Sequence, residues 1–293
     1  MNKTTVALVA AMLTACAAFA QTEINETRPA GPNGIVEVSN VKGTVTVTGV
    51  DASEVNVTGT LGKGSERLDV TGSGPRISVL VVIPKESNDV DPTNLELAVP
   101  RGSSVEVECV SGTIKVSGVS GRVRLNTVNG GITVADAKGE AYLKTVNGNI
   151  ALSGSPADAE VETVRGAIGI KGVTNRVSAG TINGTVTIEG EGLKRLSVKT
   201  VRGNISFAGS VADDASVDIT SQQGGIKLSL PESTPASFDL STFTGNISNS
   251  LVREAPASAE KSVVGQALQF TIGAGSASIR ARAFNGTIEV SKR

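Results

Sequence analysis

The feature that most constrains this chain is a glycine that returns at a fixed interval inside a repeated phrase. The phrase reads apolar-x-Gly-x-[Ile/Val]-x-apolar, and four consecutive intervals of 18 residues separate Gly112, Gly130, Gly148, Gly166 and Gly184. When the ten recognisable copies are aligned on that glycine, a β-branched residue stands two positions after it in every copy. A fixed period of this kind indicates a repeat architecture in which each copy is one structural unit.

Each copy contains two short runs in which apolar residues alternate with other residues, one before the glycine and one after it. Alternation with period two indicates strands, and no copy carries an apolar stripe long enough for a helix. Stacked copies bury inner faces that a single copy would expose. We therefore predict an all-β fold, a parallel β-solenoid with two-strand rungs of about 18 residues and capped ends. An antiparallel β-sandwich is the alternative, which explains short strands but not the period.

The repeat also divides the chain. We predict a signal peptide over residues 1–20, an N-terminal strand region that caps and continues the solenoid over 21–100, regular rungs over 101–248, and a loop with C-terminal capping strands over 249–293.

The N-terminus has the pattern of an export signal. Lys3 precedes an apolar stretch over 4–15, and Ala18-Phe19-Ala20 is a small-x-small cleavage site. Leu13-Thr14-Ala15-Cys16 also has the residue types of a bacterial lipobox, so lipidation at Cys16 competes with cleavage after Ala20. We expect an exported protein with no transmembrane segment in the mature chain. It would be periplasmic, associated with the cell envelope or secreted, and lipid-anchored if Cys16 is modified.

Composition narrows the chemistry. The chain has no histidine, which excludes Ser-His-Asp hydrolysis and the usual zinc sites. A net charge of −1 and only 2% aromatic residues argue against nucleic-acid binding. No phosphate loop, cysteine pair or nucleophile elbow is present. We expect no catalytic, metal or cofactor-binding residues and no cofactor.

Threonine or serine recurs three positions before the glycine, at Thr127, Thr145, Thr163, Thr181, Thr200, Ser221 and Thr242. Alternation points this column inward, where stacked hydroxyls can satisfy the turn backbone. Cys109 stands in the same column, so we expect a buried, unreactive thiol.

The outward positions of the second strand are small and nearly uncharged. We define the second-strand strip as Thr113, Lys115, Thr133, Asn149, Thr185, Thr187, Asn204 and Ser206. Such residues are compatible with any well-packed solenoid. The alternative interpretation is a docking surface for an envelope polysaccharide, a protein partner or a second copy.

With the repeat established, the sequence resembles the bacterial DUF4097 family. The resemblance rests on Ile24-Asn25-Glu26-Thr27, on Val38-Ser39-Asn40-Val41-Lys42-Gly43 and on the serial Thr-Val-x-Gly-x-Ile units, and it spans about residues 22–293. It implies an exported, non-enzymatic β-repeat protein of a family described as candidate adhesins. Our hypothesis is a cell-envelope scaffold or adhesin-like binding module. The alternatives are a carbohydrate-active β-helix enzyme resembling a polysaccharide lyase, and a self-assembling envelope filament.

Overall fold

The structure is a computed structural model that describes residues 22–84, 90–251, 260–261 and 265–293. The predicted export signal, with Cys16 and Ala20, lies outside the described residues. Every regular element within them is a strand. The strands are β1 Thr22–Val50, β2 Glu54–Leu61, β3 Arg67–Val82, β4 Asn94–Pro100, β5 Ser104–Ser117, β6 Val123–Asn129, β7 Ile132–Ala137, β8 Ala141–Asn147, β9 Ile150–Gly154, β10 Asp158–Arg165, β11 Ile168–Val173, β12 Arg176–Asn183, β13 Val186–Arg202, β14 Ile205–Gln223, β15 Ile226–Leu230, β16 Ala236–Thr244, β17 Ile247–Asn249, β18 Glu260–Lys261, β19 Gln266–Thr271, β20 Ala277–Asn285 and β21 Ile288–Lys292.

The repeats stack as parallel, in-register rungs. The first strand of each rung contributes to one face of the solenoid, which we call the first sheet. There β6, β8, β10 and β12 pair in order, so that Ala141 lies beside Val123 and Ala159 beside Ala141. The second strand of each rung contributes to the opposite face, the second sheet. There β7, β9 and β11 pair in order, with Ile150 between Ile132 and Ile168. The predicted β-solenoid is confirmed, and the antiparallel sandwich is wrong because parallel pairing joins successive rungs.

The core lies between the two sheets and consists of the columns that the repeat places inward. The isoleucines two positions after the glycine are almost completely buried, with Ile132 and Ile114 at 0% exposure. Burying one such side chain stabilises a fold by about 1.5–3 kcal/mol. Since no single rung could bury its own inner face, the stability of each rung depends on its neighbours.

Threonine closes the corner between the two strands of a rung. The Oγ1 of Thr163 donates to the carbonyl of Gly148 at 3.1 Å, and Thr145 makes the same bond to Gly130 at 3.0 Å. These side chains are buried, as the alternation predicts. Cys109 pairs with Thr127 in register and is also buried. These threonines therefore tie one rung to the glycine carbonyl of the preceding rung, whereas the buried Oγ1 of Thr200 in the same column has no hydrogen-bond partner among the described residues.

The first rung of the sequence is not the first rung of the solenoid. Val36 and Val45 of β1 pair with Val105 and Ile114 of β5 on one side. On the other side β1 pairs with β3 and β4, the strands of an additional rung that lies outside it. Antiparallel β2 then covers β4, and the leading part of β1 covers β2.

At the opposite end, too, the order of the rungs differs from the order of the sequence. The sequence order predicts that the C-terminal strands close the solenoid, yet β20 lies between β14 and β16 with Ile279 beside both Val217 and Phe238. Strand β21 likewise lies between β15 and β17. Strand β19 caps this end, since it pairs antiparallel with β16 and stacks the Phe270 ring on Phe238 at 4.4 Å, and β18 pairs antiparallel with β19. Antiparallel covers at both ends protect strand edges that would otherwise invite pairing with another chain.

Candidate functional site

The second-strand strip is a real surface of the second sheet. Lys115 lies beside Thr133, and Thr187 lies beside Ser206, in one row that passes through Ala151 and Gly169. Most of the strip is exposed, while Thr113 and Ser206 are half-buried. The sequence therefore placed this row on the outside as the structure does, and whether it binds anything stays a prediction.

Two members of the strip have a structural task. The Oδ1 of Asn149 accepts a hydrogen bond from the backbone N–H of Ala167 at 2.8 Å. The Oδ1 of Asn204 accepts one from the N–H of Gly225 at the same distance. Both amides tie one rung to the next at the corner. They are thus less available to a ligand than the threonines of the strip.

A second surface lies at the other side of the same corner. We define the corner row as the apolar residues two positions before the glycine, and its members are Val41, Val110, Val128, Val146, Val164, Ile182, Val201, Phe284 and Phe243. Ile182 is 45% exposed and Val110 is 50% exposed. Phe284 reaches 60%, and its ring stacks on Phe243 at 4.8 Å. Contiguous exposed apolar residues mark interaction sites on soluble proteins.

The sequence contained the signal for this row. The threonine column points inward, so the next residue along the strand must point outward, and in nine copies that residue is Val, Ile or Phe. An apolar residue repeated at an outward position has no role in the core. Only Gln222 interrupts the series.

One wall of a groove of about 510 Å³ consists of the exposed Ile182, the half-buried Val164 and Val201 of the corner row, and Gln222. Its other wall belongs to the preceding outward position of the first sheet, where Lys144, Glu162 and Lys199 stand on either side of Gly180. The buried threonines lie between the two walls and form the floor, at Thr145, Thr163, Thr181 and Thr200. Since Gly180 has no side chain, the wall is lowest at the centre of the groove.

Charge around this groove is unbalanced. Lys144 forms an ion pair with Glu162 at 2.8 Å, and the hydrogen bond and charge of that carboxylate raise the pKa of Lys144. Lys199 and Arg202, on either side of Val201, have no carboxylate at ion-pair distance among the described residues. Arg165 reaches only the amide oxygen of Asn147, at 3.2 Å. Lys199 therefore gives the groove lining an unpaired positive charge, on a chain whose net charge is −1, and Arg165 and Arg202 stand next to the corner row along the chain.

The remaining chemistry of the described residues is sparse. They contain no group of three or more side chains suited to hold a metal ion, and no helix of a length and hydropathy that could cross a membrane. Burial raises the pKa of the Cys109 thiol, so its thiolate is scarce at neutral pH.

Comparison with solved structures finds proteins of similar extent and low identity. A candidate adhesin from Bacteroides fragilis is 10% identical, with 92% of this chain and 98% of that one covered and a TM-score of 0.45. A candidate cell adhesion protein from Clostridium sporogenes is 10% identical, with 93% and 100% covered and a TM-score of 0.26. A candidate lipid-binding protein from Parabacteroides distasonis is 12% identical, with 92% and 96% covered and a TM-score of 0.34. No curated protein matches the sequence significantly.

A family model identifies the family of the chain. The model described as Toastrack DUF4097 matches residues 36–291, from the first rung of the sequence to the last strand. The resemblance noted from the repeat is confirmed: this chain belongs to the DUF4097 (Toastrack) family.

Proposed function

We propose that the protein is an exported, non-enzymatic binding module of the bacterial cell envelope, acting as a scaffold or adhesin. The observation that carries this proposal is the corner row, in which Val110, Val128 and Val146 are exposed on three successive rungs. Ile182 and Phe284 are exposed further along the row. Leaving such residues in water gives up the stabilisation that burial would bring. A binding function supplies a reason for keeping them at the surface.

The charged residues favour the same proposal over catalysis. Many of the carboxylates are engaged in exposed ion pairs across neighbouring rungs, such as Arg122 with Glu140 at 2.9 Å and Lys171 with Glu189 at 3.0 Å. Such pairs are typical of a solvated face. A carbohydrate-active enzyme needs clustered acids or bases with perturbed pKa values in a cleft.

Binding of the mature protein to isolated bacterial envelopes tests the proposal. Two variants separate the candidate surfaces: Ile182→Glu charges the corner row, and Thr133→Arg with Thr187→Arg charges the second-strand strip. All three positions are exposed, so each variant should keep the melting temperature of the parent. We expect Ile182→Glu to lose most of the binding, whereas the threonine variant keeps it.

Loss of binding only in the threonine variant would move the binding face to the second-strand strip. Failure of the parent protein to bind envelopes at all would contradict the proposed function. Incubation with a panel of uronate polysaccharides tests the non-enzymatic part. Release of unsaturated products in amounts that depend on the protein would overturn that part.

A further inference from the structure

We propose that the corner row between Val146 and Val201 is the binding site for a single-chain anionic amphiphile, such as a long-chain fatty-acid carboxylate. The alkyl chain would lie along the row, and the head group would meet Lys199 and Arg202. This inference rests on the proposed binding function, which it deepens by naming the class of ligand.

The linear spacing of the row determines the shape of the ligand. Neighbouring rungs in a parallel sheet lie about 4.8 Å apart. Val164, Ile182 and Val201 line the groove on three successive rungs, and Val146 continues the row by one rung, so the four follow a straight line of roughly 14 Å. An unbranched alkyl chain contacts every member of such a line without a bend.

The floor of the groove is suited to an apolar chain. The hydroxyls of Thr163 and Thr181 donate to the carbonyls of Gly148 and Gly166, at 3.1 Å and 3.4 Å. These two hydroxyls are therefore not available as donors to a ligand, whereas the buried Oγ1 of Thr200 has no partner among the described residues. Gly180 leaves the opposite wall open at the centre, where a chain can enter. A hydrated polysaccharide would find few hydrogen-bond partners here.

The charges near one end of the groove, one rung before Thr220 and Gln222 complete the lining, determine the sign of the head group. Lys199 lines the wall opposite Val201, and the exposed Arg202 follows Val201 along the chain. Arg202 donates to the amide oxygen of Asn183 at 3.4 Å, and no carboxylate of the described residues neutralises either cation. A carboxylate can accept bonds from both, and an arginine is suited to bind it with two.

The test uses the mature protein and hexadecanoate below its aggregation concentration, in competition with an environment-sensitive fluorescent fatty acid. The chain has no tryptophan, so the background emission is low. Hexadecanol serves as the uncharged partner ligand. The variants are Ile182→Glu in the groove and Lys199→Gln with Arg202→Gln at its end. Lys194→Gln is the matched control, because Lys194 is exposed and outside the groove lining.

We expect saturable binding of one hexadecanoate per chain. The double glutamine variant should weaken hexadecanoate about tenfold and leave hexadecanol unchanged, since it removes two exposed charge interactions. Ile182→Glu should weaken both ligands, and Lys194→Gln should change neither. Added salt should weaken hexadecanoate more than hexadecanol.

Three results would overturn the inference. Hexadecanoate binding that is absent, or equal in the parent and both groove variants, would exclude this site. Binding to anionic vesicles without binding of the monomeric ligand would assign the row to a bilayer surface. Self-association in sedimentation that Ile182→Glu abolishes would assign it to a second copy. If amphiphile binding fails while envelope binding still depends on Ile182, only the ligand class is wrong. If both fail, the proposed function fails as well.

Discussion

The corner glycines provide the sharpest test of the stacked architecture. A Cβ built on Gly166 would lie 1.9 Å from the carbonyl oxygen of Gly148, and its φ of +154° is one that other residues rarely adopt. Real Cβ atoms need at least 3.0 Å from such an atom, so the two rungs must separate by more than an ångström. The obstacle is backbone, which cannot rotate away as a side chain can.

The cost of Gly166→Ala follows from the bonds at that corner. The N–H of Gly166 donates to Asn183 at 3.0 Å, and the N–H of Gly148 donates to Arg165 at 2.9 Å. Two weakened backbone bonds cost about 0.5–1.5 kcal/mol each, and overpacking adds about 1–3 kcal/mol. We therefore expect the free energy of unfolding to fall by about 2–6 kcal/mol, a large part of the stability of an ordinary domain.

Gly169→Ala on the same rung is the matched control. A Cβ at Gly169 meets nothing within 4 Å, so we expect a change of less than about 1 kcal/mol, with stabilisation the favoured direction. Urea unfolding followed by circular dichroism measures both variants, provided that the slope against urea is unchanged. If Gly166→Ala and Gly169→Ala unfold within about 1 kcal/mol of each other, the close contact between corners is wrong.

Three further perturbations test the corner, the thiol and the C-terminal contact. Thr163→Val removes one buried hydrogen bond and should lower the free energy of unfolding by about 1 kcal/mol in urea; an unchanged midpoint would contradict the role of the threonine column. The Cys109 thiol should react with a bulky reagent at least about tenfold more slowly in the folded mature protein than in urea, because the folded site is buried and raises the pKa; equal rates would refute that burial. A hydrogen bond from Ser210 lowers the pKa of Glu191, and the hydrogen bond and charge of Arg293 lower it further. Because the folded pKa is the lower one, the ionised Glu191 stabilises the fold above the unfolded pKa of about 4.3. Any stability difference between the parent and Glu191→Gln should then shrink as the pH falls below that value, and a difference that grows in acid would contradict the sign.

The sequence was sufficient for the rung itself. The period, the inward columns and the turn glycine all lie within one stretch of about 18 residues, because alternation along a strand is a local property. The buried positions of Ile132 and Thr163 follow from that alternation alone. The exposed position of Ile182 follows from it too, although its apolar character draws attention to the core rather than to the surface.

The order of the end rungs could be decided only by the tertiary structure. Stacked rungs have strand edges with similar residue patterns, so the sequence of a strand such as β20 is compatible with pairing at several of them. It lies between β14 and β16 because the chain returns from the cap strand β19 to an internal position. Local alternation contains no information about that choice.

The groove likewise could not be predicted from the sequence. Its walls join residues from successive repeats, and its unpaired charge depends on which lysine meets a carboxylate on the next rung. Lys144 meets Glu162, while Lys199 lies next to Gly180 and meets none among the described residues. The sequence by itself determined the repeating unit, since alternation acts within one rung. The tertiary structure decided how the units are ordered and which surface they make together, because both depend on pairing between rungs distant along the chain.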